Sequence, residues 1–276
     1  MSSAHCKPPV CVSVAGLDPS GGAGVIADLK TFQIHGCYGA AAITSLTFQN
    51  TTGVFGAENI SGSNVVSQLA PIFDDLEVAS LKTGMLPTAE VIDALAEFLN
   101  DLKEMSLVVD PVVRSTSGFD LIDADAVNAL VSRIFPLALI VTPNLVEAER
   151  ISGKRIKGIG DLEETAKILL DMGPKAVLIK GGHRVEGVDD ERSIDRLFTA
   201  DSAEVFDAPR LETKATHGTG CTLSAAISAN LALGKTLIEA VGEAKEYVTV
   251  AISSAHGHGH GFPPVNHWAG SKILGD

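Results

Sequence analysis

Short apolar runs alternate with helix-patterned segments along the whole chain, and this alternation constrains the fold more than any single motif. Runs such as 107–110 (LVVD) and 176–180 (AVLIK) keep apolar residues at consecutive positions, as strands buried on both faces do. Between them, segments such as 88–100 place apolar residues every three or four positions, the stripe of a helix lying on a sheet. Strands are expected at 10–15, 38–46, 78–81, 107–110, 137–141 and 176–180, with a hairpin from 196–199 and 204–207. Helices are expected at 25–35, 63–74, 88–100, 124–134, 144–152, 161–172, 219–232 and 237–256. This order selects a three-layer α/β/α arrangement around a mostly parallel central sheet. Hydrophobic content of 45% with only 5% aromatic suits a core of Val, Ile, Leu and Ala. We find no linker, repeat or low-complexity stretch, so a single domain over 1–276 is expected, with the polar, turn-rich segment 48–60 as a small flap.

Ligands of such a sheet bind at the carboxyl ends of its strands. The loops expected there carry GLDPSGGAG at 16–24, TFQN at 47–50, KTGM at 82–85, DPV at 110–112, TPN at 142–144 with Glu147, and KGGH at 180–183. Carboxylate, amide, lysine and glycine groups thus gather along one edge.

At 213–230 (TKATHGTGCTLSAAISAN) a glycine-bearing loop runs straight into a small-residue helix with Cys221 in its first turn. Glycines bring backbone N–H groups close to an anion, and the helix N-terminus adds unpaired N–H groups and the positive end of its dipole. Such a loop holds phosphate or the charge that develops in phosphoryl transfer. The bland reading makes it a plain turn with Cys221 as a buried small residue. Lys180 ends an apolar strand ahead of two glycines, where it reaches phosphate oxygens as a point charge or else snorkels at the sheet edge. Asn144 and Glu147, three apart, suit Mg²⁺ held partly through water or a helix-capping box. Asp28 projects from the helix after the first loop toward a ligand, or is a solvated partner of the helix dipole. The 16–24 loop departs from G-x-G-x-x-G, which speaks against a dinucleotide site. Spacing in the histidine tract at 256–260 does not define a metal site.

A net charge of −13 argues against nucleic acid and anionic membrane surfaces as partners. The four cysteines lie far apart, no apolar segment precedes them as a leader, and no run is long enough to span a membrane. A soluble, cytoplasmic protein with reduced thiols is expected.

The sequence closely resembles the hydroxymethylpyrimidine/phosphomethylpyrimidine kinases of thiamine biosynthesis, in the ribokinase-like superfamily, over about residues 10–267. The resemblance is carried by AGLDPSGGAGVIADLKTF (15–32), YGAAAITSLTFQNT (38–51), KTGML (82–86), VVDPV (108–112), TPNLVEAE (142–149), IKGGH (179–183), THGTGCTLSAA (216–226) and GHGFPPVNH (259–267). It implies a single kinase domain that transfers the γ-phosphate of ATP twice. The first acceptor is the hydroxymethyl oxygen of 4-amino-5-hydroxymethyl-2-methylpyrimidine, and the second is the resulting monophosphate. The resemblance further implies that the pyrimidine sits against Gly16, Asp28, Gln49, Met85 and Val112. Lys180, Asn144, Thr216, Gly218 and Gly220 then serve the nucleotide, and Asp110, Asn144 and Glu147 serve Mg²⁺. The catalytic set is Gly218, Thr219, Gly220, Cys221 and Lys180, with an anion hole from Gly218 to Cys221. Many sugar kinases of the superfamily place an aspartate base where this chain has Cys221, so Cys221 is expected to orient or deprotonate the hydroxymethyl group. A homodimer, formed through the 48–60 flap, is also implied. The chain ends about ten residues past the match, so no fused partner enzyme is expected. The competing readings are a pyridoxal-type kinase on the same scaffold and a non-catalytic pyrimidine sensor.

Overall fold

The computed structural model describes residues 7–102, 105–113, 121–182 and 191–269; Cys6, His183 and the outer parts of both tails lie outside them. Nine strands form one sheet: β1 (Val10–Leu17), β2 (Tyr38–Asn50), β3 (Gly53–Asn59), β4 (Val78–Thr83), β5 (Ser106–Val109), β6 (Ile140–Val141), β7 (Ala176–Ile179), β8 (Arg192–Thr199) and β9 (Ala203–Pro209). Their order is β3-β2-β1-β4-β5-β6-β7-β8-β9. From β2 to β7 every neighbouring pair is parallel, while β3, β8 and β9 add antiparallel edges. The described helices are α1 (Gly24–Ile34), α2 (Gly62–Asp75), α3 (Ala89–Asn100), α4 (Ala124–Ala129), α5 (Leu145–Ser152), α6 (Ile159–Asp171), α7 (Thr219–Ala232) and α8 (Leu237–Ser253).

The consecutive apolar residues of each central strand divide between two cores. Leu107 and Val109 of β5 join one core, packed with α2 to α6, while Val108 joins the other, packed with α7 and α8. Val177 and Ile179 against Ala176 and Leu178 do the same in β7. Burial on both faces is why these strands read as unbroken apolar runs. Helix α7 is apolar or small on every side, and Thr222 to Asn230 are all buried. Its small residues let it lie close across β4 and β5, where Ser228 Oγ meets Ser80 Oγ at 2.7 Å.

Several boundaries differ from the sequence reading. The flap is a two-stranded ribbon, because β2 continues to Asn50 and turns through Thr51-Thr52 into β3. The hairpin is longer than expected, since its polar outer positions pair through Arg192 and Asp207. The 137–141 strand shrinks to two residues, as the preceding helix ends in a 3-10 turn over Phe135–Leu137. Asn144 caps α5 from outside it.

Candidate active site

The loop after β1 is built around Asp18, whose carboxylate is almost wholly buried. It accepts hydrogen bonds from Ser20 N at 2.8 Å, Ser20 Oγ at 2.7 Å and Ala23 N at 2.9 Å. It also meets His217 Nε2 at 2.7 Å. Burial alone would raise the Asp18 carboxyl; the bonds from His217 and Ser20 outweigh it and hold the group below the usual carboxylate range. Asp18 therefore ties the glycine loop of β1 to the loop ahead of α7.

That second loop sits on the helix end by necessity of its glycine. Gly218 is left-handed, with φ 80°, and a Cβ there would lie 1.8 Å from Gly22 O. Thr222 N–H is the amide that reaches the Gly218 carbonyl, at 2.9 Å. The amides ahead of it, those of Gly220 and Cys221, belong to the helix terminus that carries the positive dipole end. Burial pushes the Cys221 thiol up to about 11; Lys82 and the Gly24 N–H favour the thiolate, while Asp28 and Asp110 disfavour it. At neutral pH the thiol form predominates, and the thiolate fraction grows as pH rises.

Opposite the loop, Asp110 directly follows β5 and Lys180 directly follows β7. Lys180 Nζ donates to Asp110 Oδ1 at 2.9 Å and stands 4.0 Å from Glu147 Oε2. A Cβ on Gly220 would touch Lys180 Nζ at 3.2 Å, so the ammonium lies directly against the anion loop. Asp110 also receives Thr142 Oγ1 and Ser224 Oγ. Burial opposes ionisation of Asp110, but Lys180 and Lys82 hold its carboxyl low. Asn144 and Glu147 form a complete capping box: Asn144 Oδ1 takes the Glu147 N–H at 2.9 Å, and Glu147 Oε2 takes the Asn144 N–H at 2.7 Å. Burial raises the Glu147 carboxyl to about 7.

These donors fit Mg²⁺ only in an indirect role. Among the described residues no group of three or more acidic, histidine or cysteine side chains could hold a metal by itself. The Asp110 oxygens already serve protein donors, and the capping box uses one oxygen each of Asn144 and Glu147. A hard cation kept mainly by water and substrate phosphates, with a single carboxylate nearby, suits such a set.

One cavity of about 820 Å³ joins the two halves. Gly16, Gln49, Met85 and Val112 line one end. Asp110, Asn144, Glu147, Lys180, Thr216 and the Gly218–Cys221 loop line the middle. Asp28 does not line it. It is fully buried, and both carboxylate oxygens are taken by Lys82, with Ser13 Oγ added at 2.6 Å. The expected hydrogen bond from Asp28 to a pyrimidine amine is therefore corrected: the side chain points to β4 and β1, not to the cavity.

Sequence reasoning gives no role to Asp18, Lys82 or His217, although it sets all three in glycine-bearing loops; Lys82 instead belongs to β4 and is buried. It also misses the far end of the cavity, where Lys245 of α8 is paired with Asp195 of β8 at 2.9 Å. Asp195 Oδ1 in turn accepts the Gly181 N–H at 2.7 Å, which fixes the turn after Lys180. No period in the sequence signals such a pair, because its partners are brought together only by the sheet order.

Fold and cavity together define a phosphotransferase of the ribokinase-like class. The family model for phosphomethylpyrimidine kinase matches residues 18–266, and the chain belongs to that family. It is 43% identical to the hydroxymethylpyrimidine/phosphomethylpyrimidine kinase of Haemophilus influenzae, over 95% of this chain and 97% of that protein. It is 45% identical to the thiamine biosynthesis bifunctional protein ThiED of Geobacter sulfurreducens over 96% of its own length, and spans 53% of that longer protein. The ADP complex of Bacillus subtilis pyridoxal kinase superposes with a TM-score of 0.86 at 35% identity, covering 95% of this chain and 98% of the other. The chain is thus a kinase whose phosphate donor is ATP.

Proposed function

We propose that this chain phosphorylates 4-amino-5-hydroxymethyl-2-methylpyrimidine and then its monophosphate, each time from ATP. The observation that carries the reading is one continuous cavity with Gln49 and Met85 at one end and Lys180 with the Gly218–Cys221 loop in the middle. Gln49 has a donor and an acceptor for an aminopyrimidine edge. Lys180 and the loop amides bind the transferring phosphoryl group and stabilise its charge. Mg²⁺, held near Asn144 and Glu147 largely through water, neutralises phosphate charge when bound. Cys221 takes the hydroxymethyl proton in the first transfer; in the second, the attacking phosphate oxygen is already ionised. We further propose that the chain works as one domain in the cytoplasm, as a homodimer. No described helix is long and apolar enough to cross a membrane.

A coupled assay of ADP release with hydroxymethylpyrimidine, its monophosphate and pyridoxal, run side by side, tests the proposal. Both pyrimidines should turn over with kcat/KM well above that of pyridoxal. Turnover of pyridoxal alone would establish the B6 reading, which the likeness to pyridoxal kinase makes the natural competitor. Nucleotide and pyrimidine binding without any turnover would mark a sensor.

A further inference from the structure

Beneath the cavity floor lies a charge pair that the transfer chemistry above does not employ. Lys82 in β4 and Asp28 in α1 are both 0% exposed. Lys82 Nζ donates to Asp28 Oδ1 at 3.0 Å and Oδ2 at 2.9 Å. Withdrawing two ions from water is costly, and an apolar pair of similar volume serves a core at least as well. The position of the pair is what stands out. A Cβ on Gly84, a floor residue of the cavity, would lie 3.0 Å from Lys82 Nζ. Helix α7 packs against β4 and β1 with Cys221 in its first turn. Charges on four sides act on the thiol: Lys82 on β4, Asp28 on α1, Asp110 just after β5 and Lys180 just after β7. Ser228, two turns further along α7, meets Ser80 of β4 at 2.7 Å, and Gly84 and Cys221 line the same cavity, so the first turn of α7 stands at the Lys82 end of β4, where the ammonium favours the thiolate against both acids.

We infer that Lys82, held by Asp28, is a positioning residue for the alcohol transfer: its ammonium compensates the charge that Cys221 bears before it takes the hydroxymethyl proton. The inference rests on the proposed role of Cys221. In that step the alcohol proton passes to Cys221 Sγ as the oxygen–Pγ bond forms. The bond from Pγ to the β,γ-bridging oxygen breaks, and ADP leaves. The thiol so formed returns its proton to solvent after product release. The monophosphate presents an ionised oxygen, yields no proton and needs nothing from Lys82. Asp28 keeps the ammonium charged and fixed, which accounts for its absence from the cavity wall.

Three variants of the full chain test this. Lys82→Met removes the ammonium, Lys82→Met with Asp28→Leu removes both charges and leaves no lone buried ion, and Asp28→Asn removes only the opposing acid. The readouts are the pH dependence of iodoacetamide alkylation, followed on the Cys221 peptide by mass spectrometry, and the rates of the two half-reactions. In the Lys82→Met and double variants the alkylation midpoint should move up by about one pH unit or more. Alcohol transfer at pH 8 should fall about tenfold or more while monophosphate transfer stays within about twofold. Asp28→Asn leaves the buried ammonium without the acid that keeps it charged and fixed, so its midpoint should also move up, and retained monophosphate turnover reports an intact fold. An unmoved midpoint with parallel losses in both half-reactions overturns the inference and leaves the Cys221 role standing. A moved midpoint with unaltered alcohol transfer overturns both.

Discussion

Gln49 reaches the cavity from β2 with one end of its amide already engaged. Its Nε2 donates to Thr47 Oγ1 at 2.7 Å, and that hydroxyl donates onward to Leu17 O at 2.8 Å. The chain of bonds fixes the amide plane, and the carbonyl takes no part in it. Gln49→Ala removes one substrate hydrogen bond worth about 0.5–1.5 kcal/mol. The KM for hydroxymethylpyrimidine should rise about 2- to 10-fold with the KM for ATP unchanged; steady-state kinetics on both substrates checks this. Cys221 is the sharper case. A proton acceptor acts in its deprotonated form, and burial raises this thiol to about 11, so the active thiolate grows with pH across the whole neutral range. Alcohol transfer should therefore climb from pH 6 to 9, while monophosphate transfer shows no such limb. Cys221→Ala should slow the first step by about 10²–10⁴-fold, as loss of a general base does, and the second much less. Equal losses would give Cys221 a packing or anion-loop role. Comparing two reactions of one protein cancels any general damage to the fold.

The site's elements are positioned by close backbone approaches, and two glycines separate conformation from contact. Gly218 and Gly153 share a left-handed φ, 80° and 72°, but their surroundings differ. A Cβ on Gly218 would lie 1.8 Å from Gly22 O, while one on Gly153 would meet nothing within 4 Å. Alanine at Gly153, the C-cap of α5, should cost about 1–2 kcal/mol in a thermal melt and leave kcat alone. Alanine at Gly218 meets the same backbone cost and must also part the two loops that Asp18 and His217 join. A larger drop in melting temperature and loss of most ATP turnover are expected; turnover near wild type would mean that the loop does not shape the transition state. This contrast also explains what is legible in the sequence. The central strands can be read because both faces are apolar, and the phosphate loop because glycine and a helix start are local signals. Asp28 is misplaced by such a reading because its partner Lys82 is 54 residues away on another element. An acid in a helix looks alike from sequence whether it faces a ligand, solvent or a buried lysine. The capping box at Asn144 and Glu147 is legible as one of two readings, and the structure shows it formed.

At the scale of the whole molecule, the most exposed aromatic ring among the described residues, that of Phe55, stands on an open sheet edge. Among the described residues β3 pairs only with β2, and the ribbon they form exposes Phe48 (55%) and Phe55 (70%). Its turn is braced from the C-terminal segment, where Phe262 N donates to Thr51 O at 2.7 Å. A braced ribbon with bare aromatic rings and unpaired strand hydrogen-bonding groups is a surface suited to a second copy. The net charge of −13 opposes association of two chains, so apolar contact has to supply it. Because β2 also carries Gln49, pairing the ribbons would steady the pyrimidine end of the cavity. Light scattering on a sizing column should give the mass of two chains for the wild type and of one for Phe55→Asp. The monomer should keep its ATP affinity, which rests on Lys180 and the Gly218–Cys221 loop and not on the ribbon, and show a raised KM for hydroxymethylpyrimidine. A wild-type monomer at micromolar concentration would remove the homodimer from the proposal. A Phe55→Asp protein that remains dimeric would place the interface on another surface.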